Sequence, residues 1–512
     1  MDKVLVERNR FVDSVRLMSV GDKVKQLGGI HAAEVQMGTP ANREMLEEIG
    51  FQLPDDIAAN DLVLAVRADT EAKIDEAFQL MRDILDHKSD PEADVTYHSL
   101  KEIDLEQDPY DLVQISLPGE YAAKEAGEAL EKGLDVFIFS DNVSLEDELA
   151  LKRKGAQKDR LVMGPDCGVG LIGGVALAAG SIVADGPVGI VGASGSGAQE
   201  VACIIEKCGY GVSSIIGTGG RDLYPQIGGL TMLQGMKRLE ADPGTQVIVL
   251  VSKLAGLDVM NKVLTAADAL SKPTAAVFLG SDGTLFANHR THGVFSLEDA
   301  AMEAIRLLGK EPPAFGLSDE EIDRLAEEEL SQLGPERRYF RGLYCGGTFT
   351  EEGLIYFSRH NPDVPLFTNL KNRYAQKLPD HRVSRENTIL DMGAEDFTAE
   401  TPHPVFEPAL RVKRFCKELE DPETAVILLD FITGPGVHPD PILPFVHAYE
   451  NTKPAGGGKP VVISNICGSR EDPQNVYEKT KLLRKAGILV MPSNYQSSRL
   501  ASVMMTKLVE RR

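Results

Sequence analysis

A chain of 512 residues is too long for one hydrophobic core, and ordinary domain sizes predict roughly three or four domains. Its net charge of −24, from 54 Lys+Arg against 78 Asp+Glu, argues against nucleic acid or an anionic membrane as partner. With 48 glycines, no tryptophan and 6% aromatics, the composition suits an α/β protein with many tight strand-to-helix turns. Charges run through the first ten residues and the longest apolar runs, such as VIVLVS at 247–252, are strand length. Neither a signal peptide nor a membrane helix is expected, and the location read is cytoplasmic. Cysteines at 167, 203, 208, 345, 416 and 467 lack CxxC spacing and read as reduced thiols.

The fold class expected is α/β: several mononucleotide-type, flavodoxin-like parallel sheets behind a small N-terminal α+β domain. That first domain, residues 1–92, alternates strands at 3–7, 31–37 and 61–67 with amphipathic helices, and KSDPEADV reads as a linker. Residues 93–182 follow a strand–helix rhythm: DLVQISLP, EYAAKEAGEALEKG, DVFIFSD, then a helix whose Ser144 and Asp147 resemble a capping box, then RLVMG. A second α/β unit, 183–310, opens at PVGIVG and continues through GVSSIIGT, QVIVLVS and TAAVFLG to the helix SLEDAAMEAIRLLG. Residues 311–337 read as a linker with one solvated acidic helix. The last unit, 338–512, has strands at YFRGLYCGG, NTILDMG, AVILLDFITG, KPVVISNICG and GILVMPS. EADPGTQVIVLV and LEDPETAVILLD repeat one phrase in the last two units, which points to an internal duplication.

The glycine-rich turn GASGSG is the strongest chemical signal. Gly192, Gly195 and Gly197 permit a sharp turn after a buried strand. The hydroxyls of Ser194 and Ser196, with the free amides of the following helix, make a seat for an anion such as phosphate. The spacing is not G-x-G-x-x-G and no acidic residue ends the next strand, which argues against NAD. In GTGGRD, Gly219 and Gly220 expose backbone, Arg221 can clamp an anion and Asp222 can cap a helix. GPDCG places Asp166 and Cys167 at another strand end as candidate substrate contacts, and no histidine lies nearby in sequence to activate the thiol. Lys253 ends the strand VIVLVS, on the edge where open α/β sheets bind ligands. Gly434, Gly436 and His438 form a second open loop, with His438 as a proton carrier. His289 and His292 lack metal-ligand spacing, so no metal is expected.

Together these strings resemble succinyl-CoA ligase, and more closely the FdrA-type, YahF-like branch of that superfamily. Residues 109–280 are similar to the α-subunit, with VMGPDCG, GIVGASGSGAQE and IGTGGRD as the matching turns. Residues 388–505 are similar to the C-terminal domain of the β-subunit, with LLDFITGPGVHPD at its second phosphate-binding helix. SDNVSLEDELALK, GTGGRDL and RGLYCGGT look diagnostic of the branch. The ligase carries phosphate on a histidine in a G-H-A-G loop; here that strand runs into SDGTLFANHRTHGVFS, and Lys253 stands where the family has a glutamate. No cofactor is required by these residues, and the resemblance brings in coenzyme A as a candidate.

What the resemblance implies is a subunit of an oxamate-carbamoyltransferase-like enzyme. It would move a carbamoyl or acyl group between a ureido acid such as oxalurate and phosphate, within ureide breakdown. Companion subunits or a homo-oligomer are expected, and the partners in solution are phosphate and a small anionic substrate. The alternatives are an acyl-CoA synthetase with His289 or His292 phosphorylated, and a scaffold or ligand-sensing subunit. In the first reading Ser194–Gly197 and Gly434–Gly436 cradle the phosphoryl group while Lys253 and Arg221 neutralise it.

Overall fold

The computed structural model describes every residue except 11, 13, 26, 55, 87–98, 108, 400, 455–457 and 512. The linker expected at KSDPEADV therefore lies outside the described residues. The chain forms two compact units, Met1–Glu102 and Ile103–Arg512.

The first unit is a three-stranded antiparallel sheet in which Leu62–Ala68 pairs with Asp2–Glu7 on one side and Ile30–Met37 on the other. The central strand is buried along almost its whole length, because Leu64 and Val66 face one apolar cluster while Val63 and Ala65 face another. Helices Ser14–Lys25, Pro40–Glu48 and Glu71–Asp86, with Ala33, Val35, Phe51 and Ile57, complete those clusters.

The second unit holds three sheets. A short parallel one joins Leu112–Ile115, Asp135–Ile138 and Val162–Met163. The other two are seven-stranded. In the first, Val212–Gly217, Val188–Gly192, Val247–Lys253, Thr274–Leu279 and His292–Val294 lie side by side in parallel. In chain order that is 2-1-3-4-5, the flavodoxin-like arrangement. The second repeats it with Asn387–Asp391, Tyr339–Tyr344, Thr424–Ile432, Val461–Cys467 and Leu489–Met491, and adds Leu366–Thr368 and Gln376–Lys377 on one edge. The shared order gives the duplicated phrase its structural counterpart.

Two features differ from the sequence reading. Residues 169–178 form an antiparallel hairpin that extends the first large sheet through Leu171 opposite Ile215, where only a closing turn was expected. The acidic helix Asp319–Ser331 is no free linker. Ser318 and Glu321 form its capping box, and Ile322, Ala326 and Leu330 are buried in the largest apolar cluster. Their spacing of four residues puts them on one face, leaving the acids on the other.

That cluster also joins the two large sheets. Helices Gly195–Lys207 and Leu297–Leu307 from one, and Gly347–His360 and Asn494–Glu510 from the other, interdigitate within it. The packing has a reciprocal polar centre. Glu200, on the helix that opens the first large sheet, accepts the Asn494 amide at 3.0 Å, capping the last helix of the second. Glu352, five residues into helix Gly347–His360 as Glu200 is into its own, accepts the Leu297 amide at 2.9 Å and caps the last helix of the first. Glu298 joins them through Ser493 and Gln496. Burial keeps all three carboxyls above the ordinary range, Glu298 up to about 7 and Glu352 up to about 8.

Candidate functional site

A parallel strand leads into its helix at the carboxyl end, so both large sheets present their first glycine turns on that edge. They meet there. Ser194 caps helix Gly195–Lys207, its hydroxyl accepting the Gly197 amide at 3.1 Å, and it lies 2.5 Å from the Thr348 hydroxyl on the first turn of helix Gly347–His360. Two helix starts therefore converge, each with first-turn amides and positive dipole ends.

The second turn, Cys345–Gly346, is held from beneath. Fully buried Asp430 accepts the amides of Cys345 and Gly346 at 2.8 Å each and is paired with Arg411 at 2.6 Å. Burial and the neighbouring carboxylate push the Cys345 thiol well up, which removes it as a nucleophile. Lys253 enters from the first sheet and pairs with Glu351 at 3.3 Å. Asp391, at the end of the strand beside Tyr339–Tyr344, accepts the Gly393 amide at 2.9 Å. Burial raises its carboxyl to about 6, against the opposing pull of Lys253. A Cβ on Gly347 would stand 2.8 Å from Asp391 Oδ2 and 3.6 Å from Lys253 Nζ, so only glycine leaves this spot open. His403 lies against Gly393, its Nδ1 accepting the Val405 amide at 3.2 Å, and burial lowers it to about 4, leaving it neutral.

A second polar cluster adjoins Lys253. Arg221 pairs with buried Glu148 at 2.8 Å and donates to the Val143 carbonyl. Glu148 and Asp222 also share buried Lys152 at 2.8 Å each, while Asp222 caps the helix starting at Leu230 through the Thr231 and Met232 amides. Asp166 sits at the mouth of this cluster; burial first and Asp141 second raise its carboxyl, and Arg221 and Lys253 oppose them. Gly219 packs on Pro165, and Gly220 faces Asp166.

The structure thus brings Ser194, Gly195, Ser196, Gly197 and Lys253 to one crevice, with Asp166, Gly219, Gly220 and Arg221 at its side. It leaves out the rest of the expected set. Cys167 is buried, bonds the Val169 carbonyl and has its thiol pushed up to about 12, so it offers a ligand nothing. Gly434 and Gly436 press on the backbone of 178–180, a Cβ on Gly436 falling 2.0 Å from the Ala178 carbonyl oxygen. His438 accepts the Asp440 amide and gives its carbonyl to Gln474. This loop is a packing corner. The partner of the 192–197 turn is Cys345–Thr348, and CGGT-F-T-E-E repeats the pattern of glycines, hydroxyl and acid in GASGSGAQE. His289 and His292 pair with Asp268 and Glu303 at 2.7 and 2.8 Å. His292 stands opposite Ala275, at the start of the parallel strands, and Asp268 ends a helix returning to that same edge. Both imidazoles therefore sit on the far edge from the glycine turns.

Residues 183–280 match the family described as CoA binding domain, residues 343–504 CoA-ligase, and residues 1–99 AllF, heavy metal-associated domain. Fold, site and matches together define a protein of the succinyl-CoA ligase-like class. It is 35% identical over 505 residues to an Escherichia coli (strain K12) protein described as uncharacterized protein YahF, covering 98% of each chain, and it belongs to the YahF family. It is also 28% identical over 192 residues to the succinate–CoA ligase [ADP-forming] α-subunit of Methanothermobacter thermautotrophicus, covering 36% of this chain and 62% of that one. A dinucleotide-forming acetyl-coenzyme A synthetase from Ca. Korarchaeum cryptofilum, solved with phosphate and ADP, aligns at 16% identity and a TM-score of 0.30 over 83% of this chain and 88% of that one.

Two groups that these families imply can be set against the residues present. Residues 1–99 contain no cysteine, and among the described residues no three His, Asp or Glu side chains come together to hold a metal, so the donors described do not fit a heavy metal. The match described as CoA binding domain covers the turn at 192–197 and helix Gly195–Lys207, the residues present that could seat the phosphates of coenzyme A. No helix among the described residues is long and apolar enough to cross a membrane.

Proposed function

We propose that the chain is the acyl-transfer component of a CoA-ligase-type enzyme. It holds phosphate, or the phosphoryl group of an acyl phosphate, between the helix starts at Gly195 and Gly347. The juncture of Ser194 with Thr348 beside Lys253 carries this reading, since it aims two sets of first-turn amides and one ammonium at a single space. Seated there, the phosphoryl group is fixed while its carbonyl carbon faces the crevice, and the amides stabilise charge gathering on the phosphate as the C–O bond breaks. Coenzyme A is the acyl acceptor its named relatives suggest.

The narrower reading is carbamoyl transfer between a ureido acid such as oxalurate and phosphate. The placement of His289 and His292 on the opposite edge speaks against a phosphohistidine carrier and fits either transfer, because a free acyl or carbamoyl phosphate needs no imidazole. The chain, alone and with co-purifying subunits, is to be given acetyl phosphate with coenzyme A in one arm and oxalurate with phosphate in the other. Thioester in the first or carbamoyl phosphate in the second, read by phosphorus NMR, supports transfer and chooses the acceptor. Neither product from an assembled complex refutes transfer and leaves a ligand-sensing subunit.

A further inference from the structure

The anion seat at Gly347 already has a carboxyl group leaning into it. Asp391 is 7% exposed, and its Oδ2 lies in the small volume shared by the Gly347 Cα and the Lys253 ammonium. The other seat differs: its side chains near Gly195, Ser194 and Ser196, are neutral hydroxyls, Ser194 being held by the Gly197 amide and Thr348. Among the described residues no side chain caps the amides that start helix Gly347–His360; Asp391 gives its Oδ1 to the Gly393 amide, and its Oδ2 carries charge beside them. A phosphate or sulfate dianion arriving at the same amides meets that charge at close range in a poorly hydrated setting, where like charges repel strongly.

We propose that anion binding at the clamp is coupled to protonation of Asp391: the carboxyl takes one proton from solvent and becomes a hydrogen-bond donor to the seated anion. This inference rests on the anion-clamp reading and says how that site is regulated. The charged and titratable groups facing Asp391 are Lys253 from the first sheet, Glu351 on the helix through its pair with Lys253, Asp430 from the adjoining strand, the Cys345 thiol, and His403 across Gly393. Asp430 is held by Arg411, and His403 is kept neutral. Asp391 is the group whose pKa burial raises while its Oδ2 faces Gly347 and the Lys253 ammonium.

Sulfate is the probe, since it does not titrate between pH 5.5 and 8. Calorimetric titration of the full chain in two buffers of different ionisation heat reads protons taken up per sulfate. Uptake of close to one proton at pH 7.5, with affinity falling about tenfold per pH unit above pH ~6, is expected. Asp391→Asn is expected to bind with no uptake and a flat profile. Sulfate binding without proton uptake by the unaltered chain, or the same pH profile in Asp391→Asn, overturns the coupling while the clamp stands. No sulfate binding by either protein at any pH overturns the clamp, and the coupling with it.

Discussion

Replacing Glu352 with glutamine removes one of the three carboxyls buried between the large sheets and keeps its shape. In the folded chain this carboxyl holds its proton up to about pH 8, against an ordinary value of 4.5. Between those two values the unfolded chain has released the proton and the folded chain has not. Stability therefore declines as pH rises through that window, by about 1.4 kcal/mol per unit at its steepest, and by ~3 kcal/mol in all at pH 7. Glu298 adds a decline of the same sign, ending near pH 7, which the variant retains. Glutamine stays neutral throughout. Its amide can donate to Asn494 Oδ1, which has no partner in the wild-type arrangement, if the Asn494 amide turns over. That turn withdraws a donor from the Phe349 carbonyl at a cost of about 1 kcal/mol. Glu352→Gln should thus match or fall slightly below wild type at pH 5 and exceed it by ~3 kcal/mol at pH 7.5. Denaturant unfolding at pH 5, 6, 7 and 8 measures this. Equal pH slopes for the two proteins would refute the buried, protonated state of Glu352.

Lys152→Met leaves Glu148 and Asp222 without their shared buried cation and should lower stability by about 3–5 kcal/mol, measured by the same unfolding. Leu330→Ala should cost about 2–5 kcal/mol, since this side chain of the acidic helix is wholly buried; a change under ~0.5 kcal/mol would return that helix to the status of a linker. Gly436→Ala should destabilise by ~1–3 kcal/mol through its clash with the Ala178 carbonyl while the folded protein still binds sulfate, separating the 434–438 loop from the clamp.

Much of the fold was legible because parallel strands buried on both faces appear as unbroken apolar runs, as at VIVLVS and AVILLD. The turn at 192–197 was legible for a similar local reason: its glycines, hydroxyls and helix start adjoin in sequence. Its partner was not. Two glycine loops in the last unit, CGGT and TGPG, carry comparable local signals, and only the 2-1-3-4-5 strand order shows which reaches the shared crevice. Nor could the edge occupied by HRTH be known before the direction of the strand at His292 was fixed. Ile322, Ala326 and Leu330 did signal a docked face, but the surrounding acids outweighed them in a reading based on composition.

The crossed caps of Glu200 and Glu352 bear on how the chain can be divided. Cut within 311–337, each half would keep a helix whose start had lost its carboxylate, and a buried acid facing open water where its sister half had been. Neither fragment would display the anion seat alone, since Ser194 and Thr348 would part. Mixed, the two have a strong reason to find each other, because assembly restores both caps at once. The joined chain makes that meeting intramolecular and holds the two helix starts in register from the moment it folds.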